Sequence, residues 1–209
     1  MIDRILELVE ANGRRCLFLI SCGTYAFRLL DRLRPLSESA LSIVPCGPME
    51  AEALKRVVSL RHGSAGMKFE LGDRHEEQLS QWALARLFSR HFDYAGGVVG
   101  VALRGWVASI REVQGSQIVI EAPERRGWEV LDDLRSEWIA LLLQLALRKQ
   151  VSFDALRRMT GLDEAVLQRD TAALRRMGLI VRDRDGVFEL DAFVQQAFCQ
   201  RMVKRGVLA

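Results

Sequence analysis

Apolar side chains recur at helical spacing along most of the chain and in one unbroken run near its start. Ile2, Ile5, Leu6 and Val9 share one face, which predicts a helix over the first ten residues, ended by Asn12-Gly13. Cys16-Leu17-Phe18-Leu19-Ile20 is an uninterrupted apolar run that breaks into Ser21-Cys22-Gly23, the pattern of a buried central strand. Such a strand delivers polar groups to the end of a sheet, where ligands of α/β proteins sit. After Thr24 a second helix carries Phe27, Leu30 and Leu33 until Pro35 stops it. Leu41 to Val44 reads as a short strand closed by Pro45, Gly47 and Pro48. Helix, strand, helix, strand is a piece of an α/β sheet, too small to bury both of its faces alone.

The pattern then turns helical. Met49 to Arg61 has Leu54, Val57, Val58 and Leu60 as its apolar set, and His62 to Gly66 is a turn. Asp73 is placed to cap a helix running to about His91, with Leu79, Trp82, Ala83, Leu87 and Phe88 inward. Gly96-Gly97 interrupts, and Val98 to Ile110 forms a third helix with Val99, Leu103, Trp106 and Ile110 on one side. Three helices with short links predict a small bundle. Gln117 to Glu121 reads as a strand, and a long helix follows from about Val130 to Arg148, striped by Leu131, Leu134, Trp138, Leu141 and Leu145.

The clearest local pattern comes next. Ser152 caps a short helix, Thr160-Gly161 turns, Asp163 caps a longer helix, and Gly178 ends it. LIVRD and VFEL flank an Asp-Gly turn at Asp185-Gly186, the signature of a hairpin. Two helices, a turn and a two-stranded wing make a winged helix-turn-helix, closed by a last helix from Ala192 to Lys204. The expected class is mainly α (α+β). It consists of a small α/β remnant over 1–48, a helical bundle over 49–116, and a C-terminal winged helix-turn-helix with its long leading helix over 117–209.

Composition narrows the chemistry. The chain has 209 residues, 49% of them hydrophobic, and a formal net charge of +3, which suits one or two ordinary domains and identifies no partner by charge. Cys16, Cys22, Cys46 and Cys199 show no CxxC spacing, so neither a disulfide framework nor a zinc site is expected, and a reducing cytoplasm fits. His62, His75 and His91 stand apart without i,i+4 pairing, so they read as surface or partly buried side chains rather than metal ligands. Cys22 lies where a strand-to-helix turn could present a nucleophile, but no histidine stands in a spacing that supplies its base. The longest apolar run, Trp138 to Leu147, is far short of the ~20 residues a membrane span needs. No secretory signal opens the chain, because its first residues are amphipathic and mixed in charge.

Three stretches, ISCGTYAFRLLDR, IVPCGPMEAEALKRVVSLRHGSAGMKFEL and GGVVGVALRGW, followed by the winged-helix pattern, resemble the C-terminal part of a bacterial AAA+ ATPase of the AAA+/STAND type, whose lid precedes a winged helix. The resemblance covers nearly the whole chain through the order and spacing of its pieces. It implies that the opening strand is a sensor-1 strand, whose tip sets a polar side chain near the nucleotide γ-phosphate. Gly23 stands where the family often has Asn, flanked by Ser21 and Thr24 as nucleotide-sensing candidates. Arg32 and Arg34 fall in the interval of the arginine finger, and Arg104 is the candidate for sensor 2, one turn beyond its usual place. No GxxxxGK[ST] is present, so no backbone nest for phosphates is encoded, and no apolar strand ending in an acidic pair precedes the opening strand to hold Mg²⁺. The expectation is a non-catalytic fragment without nucleotide hydrolysis of its own. ATP and Mg²⁺ enter only if a missing core segment or neighbouring subunit supplies their site, and oligomer formation fits that arrangement.

The winged helix supports an alternative, a stand-alone DNA-binding transcriptional regulator. Its second helix turns Val166, Leu167, Leu174 and Met177 inward and Gln168, Arg169, Thr171, Ala172, Arg175 and Arg176 outward. Arginine pairs with guanine edges or phosphates and glutamine with adenine, while Arg182 and Arg184 on the wing are placed for phosphates. Ten basic and eight acidic side chains from Ser152 onward leave a balance well below that of a dedicated DNA binder. Asp163, Glu164 and Asp170 on or beside the reading helix would repel phosphates, which favours packing or protein contact.

Overall fold

The structure is a computed structural model that describes residues 2–122 and 128–208. Among the described residues it is mainly helical, with two small three-stranded sheets. In chain order the elements are α1 (Ile2–Asn12), α2 (Thr24–Leu33), α3 (Leu36–Ser39), α4 (Ala51–Gly63), β1 (Lys68–Leu71), α5 (Gln81–Ala95), α6 (Val99–Ala108), β2 (Ile110–Gln114), β3 (Gln117–Ile120), α7 (Ser136–Arg148), β4 (Gln150–Ser152), α8 (Phe153–Thr160), α9 (Glu164–Arg176), β5 (Ile180–Arg182), β6 (Val187–Leu190) and α10 (Ala192–Lys204). They group into two compact units, one of residues 1–45, 135–190 and 198–209, the other of residues 46–134 and 191–197. No helix among the described residues is long and apolar enough to cross a membrane.

In the second unit, α4, α5 and α6 pack together and carry the sheet β1-β3-β2. The β1–β3 pair is parallel, Phe69 facing Ile118, and β2–β3 is an antiparallel hairpin. Leu54, Val58, Phe69, Leu87, Trp106, Ile118 and Ile120 form the core. Three expectations change here. The helix predicted from Asp73 starts at Gln81, because Ser80 rather than Asp73 caps it, its hydroxyl accepting from the Ala83 amide at 3.1 Å. Trp82, expected inward, is 69% exposed and has Arg86 lying over its ring. The third helix stops at Ala108, since Ile110 opens β2. QIVI is a strand as expected, but it pairs with β1 and β2 inside this unit rather than leading the C-terminal elements. Neither β1 nor β2 was legible, both being short and only half apolar.

In the first unit, α7 is shorter than the stripe suggested: the helix begins at Ser136, and Glu129–Leu131 is a separate 3-10 turn that belongs to the second unit. Leu141, Leu142 and Leu145 of α7 are buried, as are Leu156 of α8, Leu167 and Leu174 of α9, and Phe198 and Met202 of α10. Ser152 caps α8 through the Ala155 amide and Asp163 caps α9 through the Ala165 amide. Gly178, at φ 70°, closes α9, with the Leu179 amide donating to the Leu174 carbonyl at 3.0 Å and the Gly178 amide to the Arg175 carbonyl at 2.9 Å. β5 and β6 form a hairpin around Asp183 to Gly186, and β4 pairs with the outer side of β6.

The largest departure is at the start. Residues 16–23 and 41–48 belong to neither sheet, so the two expected strands and the α/β remnant are not formed. Leu17 is 90% exposed, and Leu19 and Leu41 are each 97% exposed. A strand apolar on both faces needs hydrogen-bonded neighbours and two covering layers, and residues 2–45 supply none.

Gly97 sits at φ 80°, its carbonyl accepting from the Met49 amide at 2.8 Å, and a Cβ there would stand 2.6 Å from the Met49 carbonyl oxygen. Gly97→Ala is therefore expected to lower unfolding free energy by at least about 1 kcal/mol. Gly63→Ala, at a helix end with open space around it, is expected to be neutral or slightly stabilising. Urea midpoints of the two variants check the contrast.

Candidate functional site

The α8–α9–hairpin region presents the most organised polar surface. A three-residue link between α8 and α9, opened by Gly161 at φ 65°, sets the two helices apart in direction, and the Arg157–Glu164 ion pair at 3.0 Å spans it. Helical spacing puts Gln168, Arg169, Ala172, Arg175 and Arg176 on one side of α9, and all but the half-buried Ala172 are exposed. Thr171 does not join them. It is buried, and its hydroxyl donates to the Leu167 carbonyl at 2.8 Å and to the Gln168 carbonyl at 3.1 Å, so it is withdrawn from any ligand. Met177, expected in the core, is partly exposed at the helix end.

The acidic residues behave differently from the expectation of simple repulsion. Asp170 is only 3% exposed and holds two guanidinium groups, Arg135 at 3.2 Å and Arg169 at 3.4 Å. A buried carboxylate needs such partners to offset its lost hydration. Arg135 also lies over the Trp138 ring at 4.3 Å, which fixes the guanidinium plane. Glu164 is engaged by Arg157 and by Gln168 at 3.3 Å, Asp163 by the α9 amide, and Asp183 by the Val187 amide at 2.8 Å. On the hairpin, Arg182 is used internally, its Nε donating to the Gly186 carbonyl at 3.3 Å with the head over Phe188. Arg158, Arg175, Arg176 and Arg184 are exposed, and no ion pair or hydrogen bond holds their side chains among the described residues. The net result is an exposed cationic stripe on α9 whose nearest carboxylate is neutralised from within. Arg135 had no sequence signal, because 35 positions separate it from Asp170 and only the packing of α7 beside α9 brings them together.

Of the nucleotide-sensing candidates, Ser21, Thr24, Arg32 and Arg34 belong to the first unit and Arg104 to the second. Ser21 and Thr24 are exposed, Thr24 as the first residue of α2. Arg32 is exposed in the last turn of α2, and Arg34 pairs with Asp3 at 3.1 Å. Arg104 lies on α6 in the other unit, also exposed. Cys22 is exposed and, among the described residues, no hydrogen bond engages its side chain, so no base is placed against it there. Among the described residues, no three His, Cys, Asp or Glu side chains are placed to share a metal ion.

No family model, curated protein or solved structure matches this chain.

The cysteines differ sharply in reactivity by placement. Cys16, Cys22 and Cys46 are exposed, whereas Cys199 is buried in α10 and burial pushes its thiol up to about 11. A disulfide-exchange reagent at pH 8 is expected to modify three thiols rapidly in the native protein and the fourth only on unfolding; equal rates for all four would contradict this placement.

Proposed function

We propose that this chain is a non-catalytic accessory segment of an AAA+/STAND-type ATPase, docking through its N-terminal strand-forming residues and offering a winged helix to a macromolecular partner. The observation that carries the reading is the run at 16–20. Its sequence is that of an interior strand, yet it lies in no sheet and exposes Leu17 and Leu19 almost fully. Residues 21–40, with α2 inside them, make a connection of the length that joins parallel strands, so 16–20 and 41–44 suit neighbouring places in a parallel α/β sheet supplied by another polypeptide. In this reading Ser21, Thr24, Arg32 and Arg34 gain a nucleotide to sense only in the docked assembly, and α4–α6 serve as lid. Affinity capture with the purified chain from its source cells, followed by identification, is expected to recover a P-loop ATPase that a Leu17→Asp/Leu19→Asp variant fails to hold. Capture of no ATPase, or of the same ATPase by both forms, overturns the reading, as does ATP hydrolysis that follows the chain alone through chromatography.

A second reading, a stand-alone DNA-binding regulator, is favoured by a separate observation: the cationic stripe of α9 with Asp170 turned inward and paired. Here α8 and α9 are the helix-turn-helix, β5–β6 the wing, and α9 enters the major groove. Arg175 and Arg176 bind phosphates or guanine edges, Gln168 reads adenine, Arg169 is oriented by Asp170, and Arg184 meets the backbone beside the wing. Duplex DNA is expected to bind with a salt dependence whose log–log slope falls by about two in Arg175→Ala/Arg176→Ala. Binding absent in 50 mM salt, or unchanged in that variant, removes the DNA reading and leaves the winged helix as a protein-docking surface.

A further inference from the structure

Five rings meet in the second unit and join α4, β1, α5 and α6. Trp106 of α6 lies 5.4 Å from His62 of α4, 5.4 Å from Phe69 of β1, 5.9 Å from Phe88 and 5.3 Å from His91, both of α5. Two of the five rings can take up a proton, and their surroundings differ. His62 Nε2 also lacks a hydrogen-bond partner, but the Glu76 carboxylate lies 3.6 Å away. His91 is only 2% exposed, and neither of its nitrogens has a hydrogen-bond partner. The titratable and charged groups on the surrounding elements are Glu52, Lys55, Arg56, Arg61 and His62 on α4, Lys68 and Glu70 on β1, Glu76 and Glu77 in a 3-10 turn at Glu76–Gln78, Arg104 on α6, and Arg86, Arg90, Asp93 and Tyr94 on α5 itself. None of them is bonded to His91, Glu70 is held by His75 at 2.8 Å, and Lys68 pairs with Glu77. On α6, a Cβ built on Gly105 would stand 3.7 Å from the His91 Nδ1, so that residue offers no side chain to accept a hydrogen bond from a protonated ring.

We propose that His91 is an acid-triggered release in the second unit: a proton on its ring is a charge buried without a hydrogen-bond acceptor, so protonation parts α5 from α6 and exposes the ring cluster. Burial alone is the cause that pushes the His91 pKa down from 6.5 to about 4. Between those two values the opened unit binds a proton that the closed unit refuses, so closure weakens as pH falls through that window and is unaffected above it. Trp106 reports the event, because it is the buried one of the chain's four tryptophans; Trp82 is exposed and Trp128 and Trp138 are half-buried.

The test compares wild type with His91→Phe and His91→Leu, following tryptophan emission and urea unfolding from pH 8 to pH 3.5. The opening constant of wild type relative to either folded variant is expected to rise roughly 10²-fold between pH 7 and pH 4, as a downshift of that size requires. A parallel pH dependence in wild type and variant overturns the proposal. Should neither variant fold, the His91 ring resonances of wild type decide: a ring that stays neutral until Trp106 becomes exposed supports the release, and one that titrates while Trp106 remains buried refutes it.

Discussion

Leu141, Leu142 and Leu145 on α7, Leu167 and Leu174 on α9, and Phe198 and Met202 on α10 are withdrawn from water together, and the polar geometry of the first unit follows from that burial. With Leu167 and Leu174 inward, the 3.6-residue period leaves Gln168, Arg169, Arg175 and Arg176 in solvent and carries Asp170 and Thr171 inside. Each fully buried side chain of this size contributes about 1.5–3 kcal/mol, more than a buried hydroxyl or carboxylate costs once it is bonded. Thr171 therefore bonds its own helix, and Asp170 draws in Arg135 and Arg169.

That pairing changes the electrostatic sense of α9. A carboxylate in solvent beside four cationic or amide side chains would oppose an anionic ligand. Held by two guanidinium groups within a nearly closed site, it instead fixes the root of Arg169 and leaves Arg175 and Arg176 unopposed. The gain is local and geometric: an ion pair of this kind stabilises little over its desolvation, but removing one member strands a buried charge.

The first 45 residues show what happens when apolar sequence finds no layer to enter. Not one described residue there is buried, although the segment includes CLFLI and the amphipathic α1 and α2. Strand-forming sequence without a neighbouring strand leaves amides and carbonyls to water, and two apolar faces cannot both be covered by two short helices. The second unit is the opposite case. There Trp106 gathers rings from α4, β1, α5 and α6, so a small core of few elements still closes around one large side chain.

Local chemistry alone determined much of the C-terminal half. Ser152, Asp163, Gly161 and Gly178 act within a few residues of themselves, through caps and positive φ, so their helices and the Asp-Gly hairpin were legible with no knowledge of the rest. The helical character of residues 51–63, 81–95 and 99–108 was legible for the same reason, since a 3.6-residue apolar period survives without context. Tertiary structure decided everything that needs a partner far along the chain. It joined β1 to β3 across 45 intervening residues, turned Thr171 inward, paired Asp170 with Arg135, and set His91 against Trp106. It also left Leu17 and Leu19 outside any sheet. A strand is specified by its neighbours rather than by its own sequence, and the hydrogen bonds and covering layers that would make 16–20 a strand are not supplied by the described residues.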